Sequence, residues 1–154
     1  MNFTVIEYNE MRFIIMDAPT DKNFNRYLSE LKKENVTHIF RVCESSYNIE
    51  NFKNNGINVT TLPFPDGEFP PDNIVRTWLD LVKQKSQLKE TIAVHCVAGL
   101  GRAPVLVAIA LIESGMNALD AISYIREKRK GSINTKQLKY LELYKKNNKK
   151  CIII

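Results

Sequence analysis

His95-Cys96-Val97-Ala98-Gly99-Leu100-Gly101-Arg102-Ala103-Pro104 lies between two apolar runs, and its reading decides the fold. Upstream, Thr91-Ile92-Ala93-Val94 reads as a buried strand. Downstream, residues 105 to 112 form an unbroken apolar helix, with Pro104 suited to its first turn. The stretch is therefore a strand-loop-helix junction. Gly99 and Gly101 let the loop curl until successive backbone N–H groups point inward, and the helix opening near Ala103 adds the positive end of its dipole. Val97, Ala98, Gly99, Leu100, Gly101 and Arg102 thus form a candidate phosphate cradle, in which Arg102 offers a planar fork to two oxygens. Cys96 sits at its base. In such a nest a thiol pKa falls from about 8.5 into roughly the 3.5 to 7.5 range, which makes Cys96 a candidate nucleophile near neutral pH. His95 orients the loop rather than serving as a base, because an ionised thiolate needs none. The plainer alternative is a small buried cysteine at a strand end and a solvated arginine. The glycines, strand, proline and histidine together favour the cradle.

Working outward, residues 3 to 8 and 12 to 16 read as a hairpin turning at Asn9-Glu10. Phe24, Tyr27, Leu28 and Leu31 recur at helical spacing, so residues 21 to 34 are expected to be an amphipathic helix. Residues 36 to 43 and 57 to 62 read as strands, the second entered through Asn54-Asn55-Gly56. Residues 63 to 71 are a Pro-rich loop, after which Asp72 is expected to cap a helix carrying Ile74, Val75, Trp78, Leu79 and Val82. Three helices follow the cradle: about 103 to 114 with Gly115 as stop, an Asn117 cap to about 129 with Gly131 as stop, and 134 to about 146. Alternating strands and helices imply a single α/β domain with a central, mostly parallel twisted sheet flanked by helices. The cradle lies at the carboxyl end of one strand, where ligands of such sheets bind.

A chain of 154 residues suits one domain, and 44% hydrophobic with 25% charged residues is ordinary globular usage. A net charge of +5 favours anionic partners, yet Lys145, Lys146, Lys149 and Lys150 carry much of it in one place. Three cysteines without a Cys-x-x-Cys pair, no apolar N-terminal stretch and no long apolar run point to a reducing, cytosolic setting. Two histidines far apart make no metal set, so neither metal nor cofactor is expected, nor a nucleic-acid partner.

The stretch from His95 to Arg102 resembles the signature of cysteine-dependent protein tyrosine and dual-specificity phosphatases. With Ala103-Pro104-Val105 it looks like the phosphatase of regenerating liver subfamily, and the likeness runs on through Met11-Arg12-Phe13, Pro19-Thr20, Arg41-Val42-Cys43-Glu44, Pro63-Phe64, Asp66-Gly67, Pro70-Pro71 and Lys136-Gln137-Leu138. The resemblance implies a dual-specificity phosphatase-like domain over residues 1 to 146, acting on a phosphorylated protein or a phosphoinositide through a phosphocysteine on Cys96. It implies that Asp66 is the acid that protonates the leaving oxygen and later the base; from its residues alone, Pro65-Asp66-Gly67 is equally a turn. The family usually has a tryptophan where Leu62 stands and a second aspartate where Pro65 stands. The first departure bears on loop closure, and the second leaves no ambiguity about which aspartate acts. Ala103 stands where most related phosphatases carry a hydroxyl that helps the cysteine leave, so slow turnover is expected. By resemblance Cys43, otherwise a plain core cysteine, forms a reversible disulfide with Cys96. Glu44 pairs with Arg102 unless it is simply solvated, and Gln137 positions water. Asn134-x-x-Gln137 is also a capping box, and the cap is the favoured reading.

Residues 147 to 154 read as a tail. Cys151-Ile152-Ile153-Ile154 after four lysines reads as a prenylation signal beside a polybasic patch, the alternative being a frayed apolar end. One lipid chain binds a membrane marginally, and each lysine near an anionic leaflet adds about 1 kcal/mol. A lipid anchor on the cytoplasmic side of the plasma membrane or endosomes is therefore expected. The resemblance further implies binding to magnesium-transport proteins of the CNNM type through the same pocket, and self-association at the membrane.

Overall fold

The computed structural model describes the backbone of residues 1–153 and side chains through residue 144; the lipidation reading at Cys151 rests on a side chain outside those described. The chain opens with an antiparallel hairpin of β1 (Phe3–Tyr8) and β2 (Met11–Met16), turned through Asn9 at φ +54°. Then come α1 (Phe24–Lys33), β3 (Val36–Arg41), α2 (Glu50–Lys53), β4 (Asn58–Thr61), α3 (Asp72–Gln87) and β5 (Thr91–His95). The series α4 (Arg102–Glu113), α5 (Ala118–Lys128) and α6 (Thr135–Ile153) completes it. The five strands lie in the order β1-β2-β5-β3-β4, parallel except for the hairpin.

β5 is the central strand, and every residue in it is buried. That explains its continuous apolar run, because a parallel strand covered on both faces has no polar side to show. Helix α4 is buried from Arg102 to Ile112 for the same reason: it packs against β2 and β5 and is enclosed by α3, α5 and α6. Trp78 of α3 lies against Phe13 of β2 and Phe40 of β3, with ring centroids 5.6 and 5.1 Å away, and its indole N–H donates to the Leu106 carbonyl of α4 at 2.6 Å. One aromatic thus ties sheet, α3 and the helix behind the cradle into one core. On the opposite sheet face, Tyr27 and Leu31 of α1 pack with Ile39 and Phe52.

One expectation needs correction. Asp72 is not a cap: Pro71 holds the N-cap position in extended backbone, and Asp72 is the first helical residue, where its charge complements the dipole. The four-residue helix α2 stands in a stretch that offered no periodic pattern. Asn117, by contrast, caps α5 by accepting from the Leu119 amide at 2.9 Å, and Gly115 and Gly131 follow their helices at φ +106° and +86°.

Candidate functional site

Between the end of β5 and the start of α4 the backbone is held from outside, carbonyl by carbonyl. Cys96 O accepts from His95 Nδ1 at 2.9 Å, Val97 O from the Ala18 amide at 2.9 Å, and Ala98 O from Arg129 Nη2 at 3.0 Å. Gly99 O accepts from Arg129 Nε at 2.7 Å, and Leu100 O from the Ile133 amide at 2.8 Å. Because N–H and C=O point oppositely across a trans peptide, five carbonyls turned outward direct the amides of Val97, Ala98, Gly99, Leu100 and Gly101 inward. None of those five amides donates to another group among the described residues. The loop leads directly into the N-terminus of α4, so unpaired amides and helix dipole together suit an anion.

The two glycines serve different ends. Gly99 has φ +75°, and a Cβ there would lie 2.6 Å from the Met16 carbonyl oxygen and 2.5 Å from Arg129 Nη2. Gly101 has φ −120° and needs no left-handed freedom; a Cβ on it would stand 3.4 Å from Gln137 Nε2 and 3.8 Å from Asp66 Oδ1. Both are ordinary van der Waals distances, so neither backbone conformation nor space demands glycine there as they do at Gly99.

Arg102 is buried, and its Nη1 donates to the carbonyls of Phe64 at 3.0 Å and Val42 at 3.4 Å. Its Nε has no hydrogen-bond partner and lies 3.7 Å from Asp66 Oδ1. A buried guanidinium with an unspent donor is what an oxyanion would complete. The Asp66 side chain is 85% exposed, on the loop that follows β4. A cavity of about 380 Å³ is lined by Glu44, Pro63, Phe64, Pro65, Asp66 and Arg102. Glu44 is thus at the site but forms no ion pair with Arg102 among the described residues; the guanidinium Nη1 goes to two carbonyls, and the acidic neighbour of its Nε is Asp66.

Behind the cradle, His95 is wholly buried, and desolvation lowers its pKa to about 4. It is neutral at pH 7. Its Nδ1 meets a carbonyl and must donate, so Nε2 accepts, and the Tyr47 hydroxyl donates to it at 2.7 Å. Cys43 and Cys96 are both buried free thiols. Cys43 Sγ lies 3.7 Å from His95 Nδ1, and burial pushes its thiol pKa up. Ala103 is fully buried.

Gln137 and Asn134 form the reciprocal capping box: the Gln137 amide donates to Asn134 Oδ1 at 2.8 Å, and the Asn134 amide to Gln137 Oε1 at 3.0 Å. The remaining Gln137 Nε2 donates to the Glu68 carbonyl on the Asp66 loop at 3.1 Å.

Two contributors escaped the sequence reading. Arg129 binds the cradle from outside and also donates to Asn2 O, Thr4 Oγ1 and Ile15 O at 3.1, 2.9 and 3.3 Å. Tyr47 donates to His95 Nε2 and so holds the imidazole whose tautomer the Cys96 carbonyl sets. The single sequence signal for Arg129 is an arginine just before a helix-stopping glycine, which resembles an ordinary helix end.

The family profile for the dual specificity phosphatase catalytic domain matches residues 20–149. The chain is 53% identical over 148 residues to the "Probable protein tyrosine phosphatase type IVA A" of Dictyostelium discoideum, covering 95% of this chain and 89% of the relative. It is 52% identical to the PRL-1 phosphatase of Drosophila melanogaster (92% and 81% covered) and 51% identical to the human protein tyrosine phosphatase type IVA 3 (91% and 82%). A solved structure from Leishmania major, named as a protein tyrosine phosphatase, superposes with a TM-score of 0.85 at 41% identity, covering 92% of this chain and 98% of that one. The chain therefore belongs to the dual specificity phosphatase family, in its phosphatase of regenerating liver (type IVA) subfamily, and is a cysteine-dependent phosphoric monoester hydrolase of the protein tyrosine phosphatase type.

Proposed function

We propose that this chain is a slow, membrane-tethered phosphatase in which Cys96 takes the phosphoryl group and gives it up reluctantly. The observation that carries this reading is the outward turn of the carbonyls of residues 96 to 100, which leaves five amides turned to the inside of the loop. A phosphoryl group held there by those amides and by Arg102 presents its phosphorus to the Cys96 thiolate. The S–P bond forms as the ester P–O bond breaks, and Asp66 donates its proton to the departing oxygen. Water then attacks the phosphocysteine and gives a proton to the Asp66 carboxylate; the new P–O bond forms as the S–P bond breaks, and sulfur leaves as thiolate. Ala103 offers the departing sulfur no hydroxyl, so this second step is the slow one.

Rapid quenching with an aryl phosphate, followed by mass spectrometry of the peptide bearing Cys96, tests the reading. Phosphocysteine is expected in the wild type and absent in Cys96→Ser; its absence from the wild type at every quench time overturns the mechanism. The substrate class is a phosphorylated protein or an inositol-lipid head group. The tail supports tethering at cytoplasmic membrane faces through Cys151, with Lys145, Lys146, Lys149 and Lys150 as the second signal. An unmodified Cys151 in native membrane fractions would sink that part.

A second reading is a binding module for CNNM-type magnesium-transport proteins. The exposed Val97, 65% accessible on the rim of the cradle, favours it, since an apolar rim suits a protein partner. Cys96→Ser and Asp66→Ala separate the two: a catalytic role loses its phenotype with either, whereas a binding role survives loss of the acid.

A further inference from the structure

The loop bearing Asp66 is fastened on two sides. On the side nearer β4, Phe64 is buried in the core and its carbonyl takes Arg102. On the other, α6 and the Asn134 that precedes it grip three consecutive residues. Asn134 Nδ2 donates to Gly67 O at 3.1 Å and Gln137 Nε2 to Glu68 O at 3.1 Å. Lys136 forms an ion pair with Glu68, and the Phe69 ring stacks on Tyr140 at 4.5 Å between centroids with planes 6° apart. Lys136 Nζ also stands 5.9 Å from the Phe69 ring centre. The two amide bonds reach backbone oxygens and would hold any sequence. Glu68 and Phe69 are the sequence-specific part of the grip. Leu62, at the other end of the loop, contributes only a partly buried side chain to the core. Asp66 itself has one partner among the described residues, the Arg102 guanidinium, so its position depends on what holds its neighbours.

We infer that Glu68 and Phe69, through Lys136 and Tyr140, are positioning residues that hold Asp66 over the cradle, an inference resting on the reading of Asp66 as the acid. Phe69 is 43% exposed and the Lys136 side chain 57% exposed, so removing either leaves the core intact. What changes is the fraction of molecules with the acid in place.

The test compares kcat/KM for phenyl phosphate and p-nitrophenyl phosphate. This parameter reports steps up to departure of the phenol and is blind to slow phosphocysteine hydrolysis. Nitrophenolate leaves without much help, whereas phenolate needs the proton. Asp66→Asn is expected to lose about 10²-fold on phenyl phosphate and far less on p-nitrophenyl phosphate. Phe69→Ala and Lys136→Ala are each expected to lose about 3- to 10-fold on phenyl phosphate, with p-nitrophenyl phosphate nearly unaffected. Phe69→Trp, which keeps the stack, restores wild-type behaviour. If Asp66→Asn shows the leaving-group dependence while Phe69→Ala and Lys136→Ala match wild type or fall equally on both esters, the positioning role is wrong and the acid stands. If Asp66→Asn itself shows no such dependence, the acid reading fails.

Discussion

Arg129 and Gly99 meet at the outer turn of the cradle, where the guanidinium donates to the Gly99 carbonyl at 2.7 Å and leaves no room for a side chain on the glycine. Gly99→Ala would combine left-handed strain of about 1–2 kcal/mol with a methyl 2.6 Å from the Met16 carbonyl oxygen, which is rigid backbone. The outward carbonyls cannot keep their partners once the loop shifts. We expect loss of orthovanadate inhibition together with a lower melting temperature. A variant that still binds vanadate as the wild type does would show that the loop tolerates the shift.

Arg129→Lys preserves charge and most of the volume, but one ammonium cannot reach carbonyls arriving from the hairpin and from the cradle. Unpaired buried acceptors make this substitution destabilising by about 3 kcal/mol. Displacing the amides by a fraction of an ångström lowers kcat/KM by about 10²-fold. Assay well below the melting temperature separates the two effects: a variant that is destabilised yet fully active at low temperature would make Arg129 a strut and nothing more.

The contrast between these two residues shows what could be read in advance. Gly99 lies inside a contiguous motif whose spacing, flanking strand and following proline all describe one local object, and the same holds for the Asn134-Gln137 capping box. Arg129 acts across 30 residues to Gly99 and 127 to Asn2, so no local pattern marks it. Glu44 illustrates the reverse. Its place beside Arg102 was legible from resemblance, but the partner of that arginine is decided by which carbonyls the folded loop brings near. The α6 grip on Glu68 and Phe69 was equally invisible, because it joins a loop to a helix about seventy positions away whose capping role was already accounted for.

His95 makes stability pH-dependent. Its folded pKa, about 4, lies below the unfolded value of 6.5, so between these values the unfolded chain binds the extra proton. Stability is full above about pH 6.5 and falls as pH drops toward 4. Between pH 7 and 5 the loss from His95 is about 2 kcal/mol. His38, also held near 4 by burial and then by the charge of Lys85, adds in the same direction. Urea unfolding of His38→Asn at pH 7, 6 and 5 isolates the share of His95, and a flat profile in that variant would contradict a buried neutral imidazole.

Ala103 sets how long sulfur keeps the phosphoryl group. It is fully buried in the first turn of α4, one residue after Arg102, where a serine is compatible with the helix. In Ala103→Ser the serine hydroxyl can donate to the departing thiolate, lowering the barrier to phosphocysteine hydrolysis. One hydrogen bond to a charged group, at about 1.5 kcal/mol, corresponds to roughly a tenfold rise in kcat. The formation step gains nothing, because there the sulfur is attacking rather than leaving. The expected signature is therefore a higher kcat with little change in kcat/KM, and a smaller burst of phenol in the first turnover. A rise in kcat/KM with an unchanged burst would place the effect on phosphoryl capture, and an unchanged kcat would remove Ala103 as the cause of slow turnover.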